Sequence, residues 1–186
     1  MLAAGEGRRF GGPKMLAELD GRPLLEHVVA AMAAAPLDRV VCVLGAGAEE
    51  VRRGVDLGGA EVVVCEDWAE GQAASLRTGV EALADAEAIV IALGDQPRLS
   101  PTAVERVLAA RDEGALAVRA TYGGVPSHPT VVERPLFGRL LELRGDAGAR
   151  DLLAGVQTRE VPCDGLGSAY DVDTQADLAA LRDATR

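Results

Sequence analysis

Lys14 is the one lysine in a chain with eighteen arginines, and it closes a glycine-rich stretch, Gly5-Glu6-Gly7-Arg8-Arg9-Phe10-Gly11-Gly12-Pro13-Lys14. Glycines let successive amides turn inward as a nest for an anion. Arg9 can grip phosphate oxygens with a planar fork, while Lys14 supplies a compact point charge. Such a set suits a polyphosphate, and above all the cleavage of an α–β phosphate bond, where charge builds on the departing pyrophosphate. Two other glycine loops compete. A Walker A loop fails, because Pro13 intervenes and Met15 stands where a hydroxyl is needed. A dinucleotide fingerprint is weak, because Pro13 blocks a helix directly after the loop and no acid ends the second strand, although Gly5-x-Gly7-x-x-x-Gly11 keeps it open.

Three acids and a histidine extend the chemistry. Asp95 follows an apolar run, at the carboxyl end of a strand where ligands of open α/β sheets gather, and it reads as an exposed edge carboxylate. Asp171 and Asp173 flank Val172, so on an extended segment they point the same way. One of them can meet a metal while the other caps the helix that follows. His128 lies in Pro126-Ser-His-Pro129, which reads as a loop, and Asp146 and Arg150 flank a glycine turn entering a helix.

Short β-branched runs alternate with Ala/Leu stretches of helical period, which predicts an α/β fold: a Rossmann-like, mainly parallel sheet with helices on both faces. Strands are expected over residues 40–44, 61–65, 88–93, 116–121, 130–132 and 158–162. Helices are expected over 24–35, 72–86, 102–111, 135–143, 147–153 and 174–184. Ser100 should cap the third of these helices, and Thr174 or Asp173 the last. Only four residues precede Gly5, so the first strand is short or the chain begins upstream. The expected organisation is one domain over 1–186, with a nucleotide-binding half (1–112) and an acceptor-binding half (113–186).

A net charge of −10 makes nucleic acid and anionic membranes poor partners. No apolar run approaches the roughly 20 residues that span a bilayer, and no signal pattern opens the chain. Cys42, Cys65 and Cys163 lack metal spacing and read as reduced thiols of a cytoplasmic protein. With aromatics at 3%, base recognition must lean on backbone and hydroxyl contacts, and Phe10 reads as an anchor rather than a stacking ring.

Residues 2–14, followed by Leu19-Asp-Gly-Arg-Pro-Leu24, resemble the MobA-like nucleotidyltransferases, especially molybdenum cofactor cytidylyltransferases. Trp68-Ala-Glu-Gly71 with Ser75-Leu76, Gly94-Asp95-Gln96-Pro97, His128-Pro129 with Gly145 to Arg150, and Asp171-Val-Asp-Thr174 with Asp177-Leu178 follow in the family's order. The resemblance implies a nucleotide-diphospho-sugar transferase-like fold. It implies that Leu2, Ala3, Ala4, Gly5, Gly7, Arg9, Gly11, Lys14, Gly71, Ser75 and Asp95 bind the nucleotide, with Arg9, Lys14 and Asp95 catalytic. His128, Asp146, Gly148 and Arg150 would face the acceptor, and Asp95 with Asp171 would hold Mg²⁺. Arg8 matches a variable position and should face solvent. The implied reaction joins CTP to a small phosphorylated, molybdopterin-type acceptor and releases pyrophosphate, with a molybdoenzyme or its chaperone as a further partner. Guanylyl-transferring relatives tend to carry Gly where this chain has Ala4, which favours CTP over GTP. A GTP-using guanylyltransferase, a nicotinamide-dependent oxidoreductase on the same scaffold and a non-catalytic nucleotide binder are the competing readings.

Overall fold

The computed structural model describes residues 1–111 and 114–184. The expected division at 112/113 falls outside them. In chain order the elements are β1 (Leu2–Ala3), β2 (Glu18–Leu19), β3 (Arg22–Pro23), α1 (Leu24–Ala33), β4 (Val41–Leu44), α2 (Ala48–Gly54), β5 (Glu61–Val64), α3 (Gln72–Ala82), β6 (Ala88–Ile91), α4 (Pro101–Ala109), β7 (Ala117–Tyr122), β8 (Val125–Glu133), α5 (Phe137–Leu141), α6 (Ala149–Leu153), β9 (Thr158–Pro162) and α7 (Gln175–Asp183).

The strands β1, β4 and β5 form a parallel sheet with β4 central. β4 reads Val-Cys-Val-Leu and is buried throughout, the apolar run expected of a strand covered on both faces. Its side chains alternate: Cys42 and Leu44 join Leu25, Val28 and Met32 of α1, whereas Val41 and Val43 join Ala74 of α3. A second sheet runs β6-β8-β7-β9, with β8 antiparallel to both neighbours and β9 parallel to β7. A parallel bridge, Leu2 to Leu93, joins the two sheets. It is fastened by the Leu2 amide on the Ala92 carbonyl (2.9 Å) and the Gly94 amide on the Leu2 carbonyl (2.8 Å). The α/β architecture with helices on both faces therefore stands, and its antiparallel parts are β8, paired with β6 and β7, and the short β2–β3 pair. Gly123 and Gly124, both at positive φ (58° and 76°), make the two-residue turn that the β7–β8 hairpin requires.

Ser100 caps α4 by accepting from the Thr102 amide. Thr174 caps α7 in a reciprocal box with Asp177. That second cap decides between the two expected candidates and leaves the Asp173 side chain free for other work. Two expectations change. α2 was not anticipated, because Val51 is its one buried residue and gives no helical stripe. His128 lies within β8 rather than in a loop: Pro126 and Pro129 argue against a strand, but the β7–β8 register shifts between Arg119 and Ala120 and takes up the prolines. The three cysteines are free and buried, and burial pushes the Cys42 thiol up to about 11.

Candidate active site

The loop after β1 is anchored from behind. Phe10 is buried against Leu19, Leu24, Val172 and Leu178, the anchoring role expected of it. The Phe10 and Gly11 amides both donate to the Gly7 carbonyl (2.9 and 3.1 Å). Those of Gly5, Gly7, Arg8 and Arg9 find no acceptor among the described residues and are open to an anion. Arg8 pairs with Glu6 and faces solvent. A 3-10 turn, Lys14–Leu16, then fixes the backbone of Lys14.

Lys14 is only 9% exposed. Its Nζ donates to Asp95 Oδ2 at 2.6 Å and to Asp173 Oδ1 at 3.2 Å, and Arg9 reaches Asp173 Oδ2 at 3.1 Å. Three elements far apart in the chain thus meet on one ammonium: the loop, the end of β6 and the segment before α7. That segment is stitched to the sheet edge by the Val172 amide on the Asp95 carbonyl (3.0 Å). Gln96 adds a second stitch, its Nε2 donating to Asp171 Oδ1 (2.8 Å) and the Ala169 carbonyl (3.3 Å). Asp95 is a partly buried ion-pair partner, not the exposed edge carboxylate expected from its position, because Lys14 and residues 169–173 close over it. Burial raises the Asp171 carboxyl above its ordinary value; the Gln96 hydrogen bond opposes this, and Asp95 and Asp173 add to it.

Two cavities meet at this cluster. The first, about 480 Å³, is walled by β1 and the loop through Leu2, Ala3, Ala4, Gly5, Gly7 and Arg9. Lys14, Gly71, Ser75 and Asp95 complete it. Of the nucleotide set only Gly11 does not line it. The second, about 660 Å³, is lined by His128, Asp146, Gly148 and Arg150, the whole expected acceptor set, and by Asp171 and Asp173. Leu2, Arg9, Gln72, Leu93, Asp95 and Asp146 belong to both. The seam is tight at Gly71 (φ 113°), where a Cβ would sit 2.5 Å from the Gly145 carbonyl, so the start of α3 lies directly on the acceptor-side turn.

Sequence reasoning missed Gln72, Gln96, Arg119 and Tyr122. Arg119 was the readable one, a lone charge in the apolar strand Ala117–Tyr122. It lines the second cavity and pairs with Glu160 at 2.6 Å. Its Nε and the Tyr122 hydroxyl are buried without a partner.

His128 Nδ1 lies 3.2 Å from the Ile91 carbonyl. A carbonyl only accepts, so Nδ1 carries the proton and Nε2 is left as an acceptor. Burial lowers the His128 pKa, against the Ile91 hydrogen bond and nearby Asp95, which raise it. The unfolded chain therefore takes up a proton near pH 6.5 while the folded one stays neutral to lower pH, so this residue's contribution to stability falls as pH drops below that value. Urea unfolding at pH 7.5 and 5.5 should show a smaller acid-side loss in His128→Gln than in the parent chain; equal losses would remove His128 as a contributor.

Among the described residues no three or more His, Cys, Asp or Glu side chains form a metal-enclosing group. Asp95 Oδ1 is nevertheless buried without a hydrogen-bond partner, and Asp95 and Asp173 share one cation. Two carboxylates completed by phosphate oxygens are the donor set that Mg²⁺ prefers. No helix among the described residues is long and apolar enough to cross a membrane.

The chain is similar to known proteins over nearly its whole length. Over 97% of its length the chain is 35% identical to the nicotine blue oxidoreductase of Paenarthrobacter nicotinovorans, covering 94% of that protein. Rv0371c of Mycobacterium tuberculosis H37Rv superposes with a TM-score of 0.89 at 34% identity, over 98% of this chain and 94% of that one. A manganese complex of Rv0371c gives 0.85 at 31% identity, over 98% and 96%. A nucleotidyl transferase of Methanothermobacter gives 0.81 at 25% identity, over 98% and 94%. Residues 1–161 match the pattern of the MobA-like NTP transferase domain, and the chain belongs to that nucleotidyltransferase family.

Proposed function

We propose that the chain transfers a cytidylyl group from CTP to the phosphate of a small, molybdopterin-type acceptor. The observation that carries this reading is the ammonium of Lys14 shared by Asp95 and Asp173 where the two cavities meet. The triphosphate lies along the glycine loop, on its free amides, Arg9 and Lys14. The acceptor lies in the second cavity, which offers the Nε2 of His128 and Arg150, whose side chain has no partner among the described residues. An acceptor phosphate is already ionised at neutral pH, so no strong base is needed. Its oxygen forms a bond to the α-phosphorus, the α–β bond breaks, and pyrophosphate leaves with the electron pair. Arg9 and Lys14 hold the charge that grows on the leaving group, and the shared cavity wall keeps attacking and departing oxygens in line.

Asp95 and Asp173 are the carboxylates on which we seat a divalent cation; Asp171, held by Gln96, faces the same edge. A bound Mg²⁺ would polarise the phosphates and neutralise charge there. The manganese complex of a relative 31% identical to this chain supports a divalent site. A cytoplasmic setting, with a molybdoenzyme or its chaperone receiving the product, completes the proposal.

The test is pyrophosphate release from each of the four nucleoside triphosphates in the presence of candidate phosphorylated acceptors. CTP should exceed GTP by about 1–3 kcal/mol in kcat/KM, the usual worth of one methyl in a pocket. The methyl in question is that of Ala4, which is 4% exposed and lines the first cavity. Ala4→Gly should narrow the preference, and equal kcat/KM for both triphosphates in the parent chain would refute the assignment.

The oxidoreductase named among the relatives motivates a second reading. Against it, the loop runs into a 3-10 turn instead of a helix, and β4 ends in Leu44-Gly45 without an acid. Tight NADPH binding without a divalent cation, and no pyrophosphate release from any triphosphate, would establish that reading instead.

A further inference from the structure

We propose that Lys14 is the resident counter-ion of the site. It stays between Asp95 and Asp173 until a triphosphate draws it off, so a divalent cation is admitted together with nucleotide and not ahead of it. This rests on the reading that the site takes a triphosphate and a divalent cation.

The geometry makes the two cations rivals. Lys14 Nζ is 2.6 Å from Asp95 Oδ2 and 3.2 Å from Asp173 Oδ1. A metal ion drawing on the same oxygens would need them at roughly 2.1 Å, which puts it in contact with the ammonium. Arg9 already holds the second oxygen of Asp173 at 3.1 Å, so both oxygens of that carboxylate are paired with cations. Asp95 Oδ1 is buried and unpartnered, so one ligand atom stands ready once the ammonium leaves.

The ammonium has somewhere to go. The backbone of Lys14 is held in the 3-10 turn Lys14–Leu16, while the four-carbon stem can swing. Its root packs on the phosphate loop: a Cβ at Gly7 would lie 3.2 Å from the Lys14 Cβ. A triphosphate on the free loop amides would therefore place several negative oxygens beside Lys14. Moving the ammonium onto them releases Asp95 Oδ2 and Asp173 Oδ1 in the same motion, with Arg9 still on the other oxygen of Asp173. This accounts for a lysine in a chain whose other fixed cations are all arginine. A compact charge on a flexible stem can exchange partners, whereas a guanidinium fork spanning two carboxylates would stay locked.

The test is Mn²⁺ binding to the full chain, read by electron paramagnetic resonance, with and without CTP. Without nucleotide, Lys14→Met should bind Mn²⁺ at least about tenfold more tightly than the parent chain, because a cation in contact with the site is gone. CTP should tighten Mn²⁺ binding strongly in the parent chain and much less in Lys14→Met. Lys14→Arg keeps the charge and should bind Mn²⁺ alone no better than the parent. Circular dichroism checks that each variant folds; if Lys14→Met does not, Lys14→Arg and the CTP dependence of the parent chain decide. Unchanged or weaker Mn²⁺ binding in folded Lys14→Met, or Mn²⁺ binding in the parent that is equally tight with and without CTP, overturns the proposal. The nucleotidyl-transfer reading fails separately, by an absence of pyrophosphate release, which the nucleotide-free titration does not involve.

Discussion

Asp95→Asn should lower turnover of the proposed transfer by about 10³-fold, because it removes a charge from the carboxylate proposed to hold the divalent cation. The amide keeps the shape of the side chain, so the loss isolates charge. It should also lower stability. Lys14 is almost fully buried and donates to Asp95 at 2.6 Å, and removing one partner of a buried pair costs up to about 3–5 kcal/mol. The cost here should fall at the low end, since Asp173 still holds Lys14 and the Asp95 side chain is 20% exposed. A fall in melting temperature of roughly 6–12 °C is therefore expected together with the loss of turnover, whereas the position of Asp95 at a strand end implied a change without effect on the fold. A variant as active as the parent would remove Asp95 from the chemistry. An inactive variant with unchanged melting temperature would show that the Lys14 pair carries no structural weight.

Lys14→Ala should lower kcat/KM by roughly 10² or more, as loss of a preorganised electrostatic group does. The effect should appear in kcat as well as KM, because charge on the leaving pyrophosphate exceeds that on the bound triphosphate oxygens it derives from. Near-normal turnover in this variant would take Lys14 out of the mechanism. Stability should also fall, because Asp95 and Asp173 then face each other across the space the ammonium held. High salt should recover part of that stability at Asp173, which is a third exposed, and less at Asp95.

The parts of this structure written in local pattern could be read from sequence. The run behind β4 is apolar because both faces of that strand are buried, β5 and β6 being buried only in part, and Ser100 and Thr174 cap helices because their side chains reach amides two or three residues on. The glycine loop could be read as a candidate anion site for the same reason: its pattern lies in consecutive residues. What could not be read depends on contacts across the chain. Asp171 and Asp173 share a face by the period of an extended segment, and no local rule separates them. They are separated by Gln96, which holds Asp171, and by Lys14 and Arg9, which hold Asp173. The same limit applies to Gln72, whose place on both cavities depends on the turn at Gly145 packing against Gly71.

The two sheets are joined through a strand only two residues long, and this bears on how the chain folds. β1 has no local partner. Its neighbours are β4, some forty residues on, and the end of β6, about ninety residues on. Contacts of such separation form late, because the intervening chain must be ordered before they gain anything. Each sheet can gather its own helices first, and the join at Leu2 then completes the carboxyl edge on which Asp95 stands. Hydrogen exchange offers a direct view of that step. The amides of Leu2 and Gly94, which bond across the join, should exchange together, and their opening should coincide with loss of nucleotide binding before either sheet unravels.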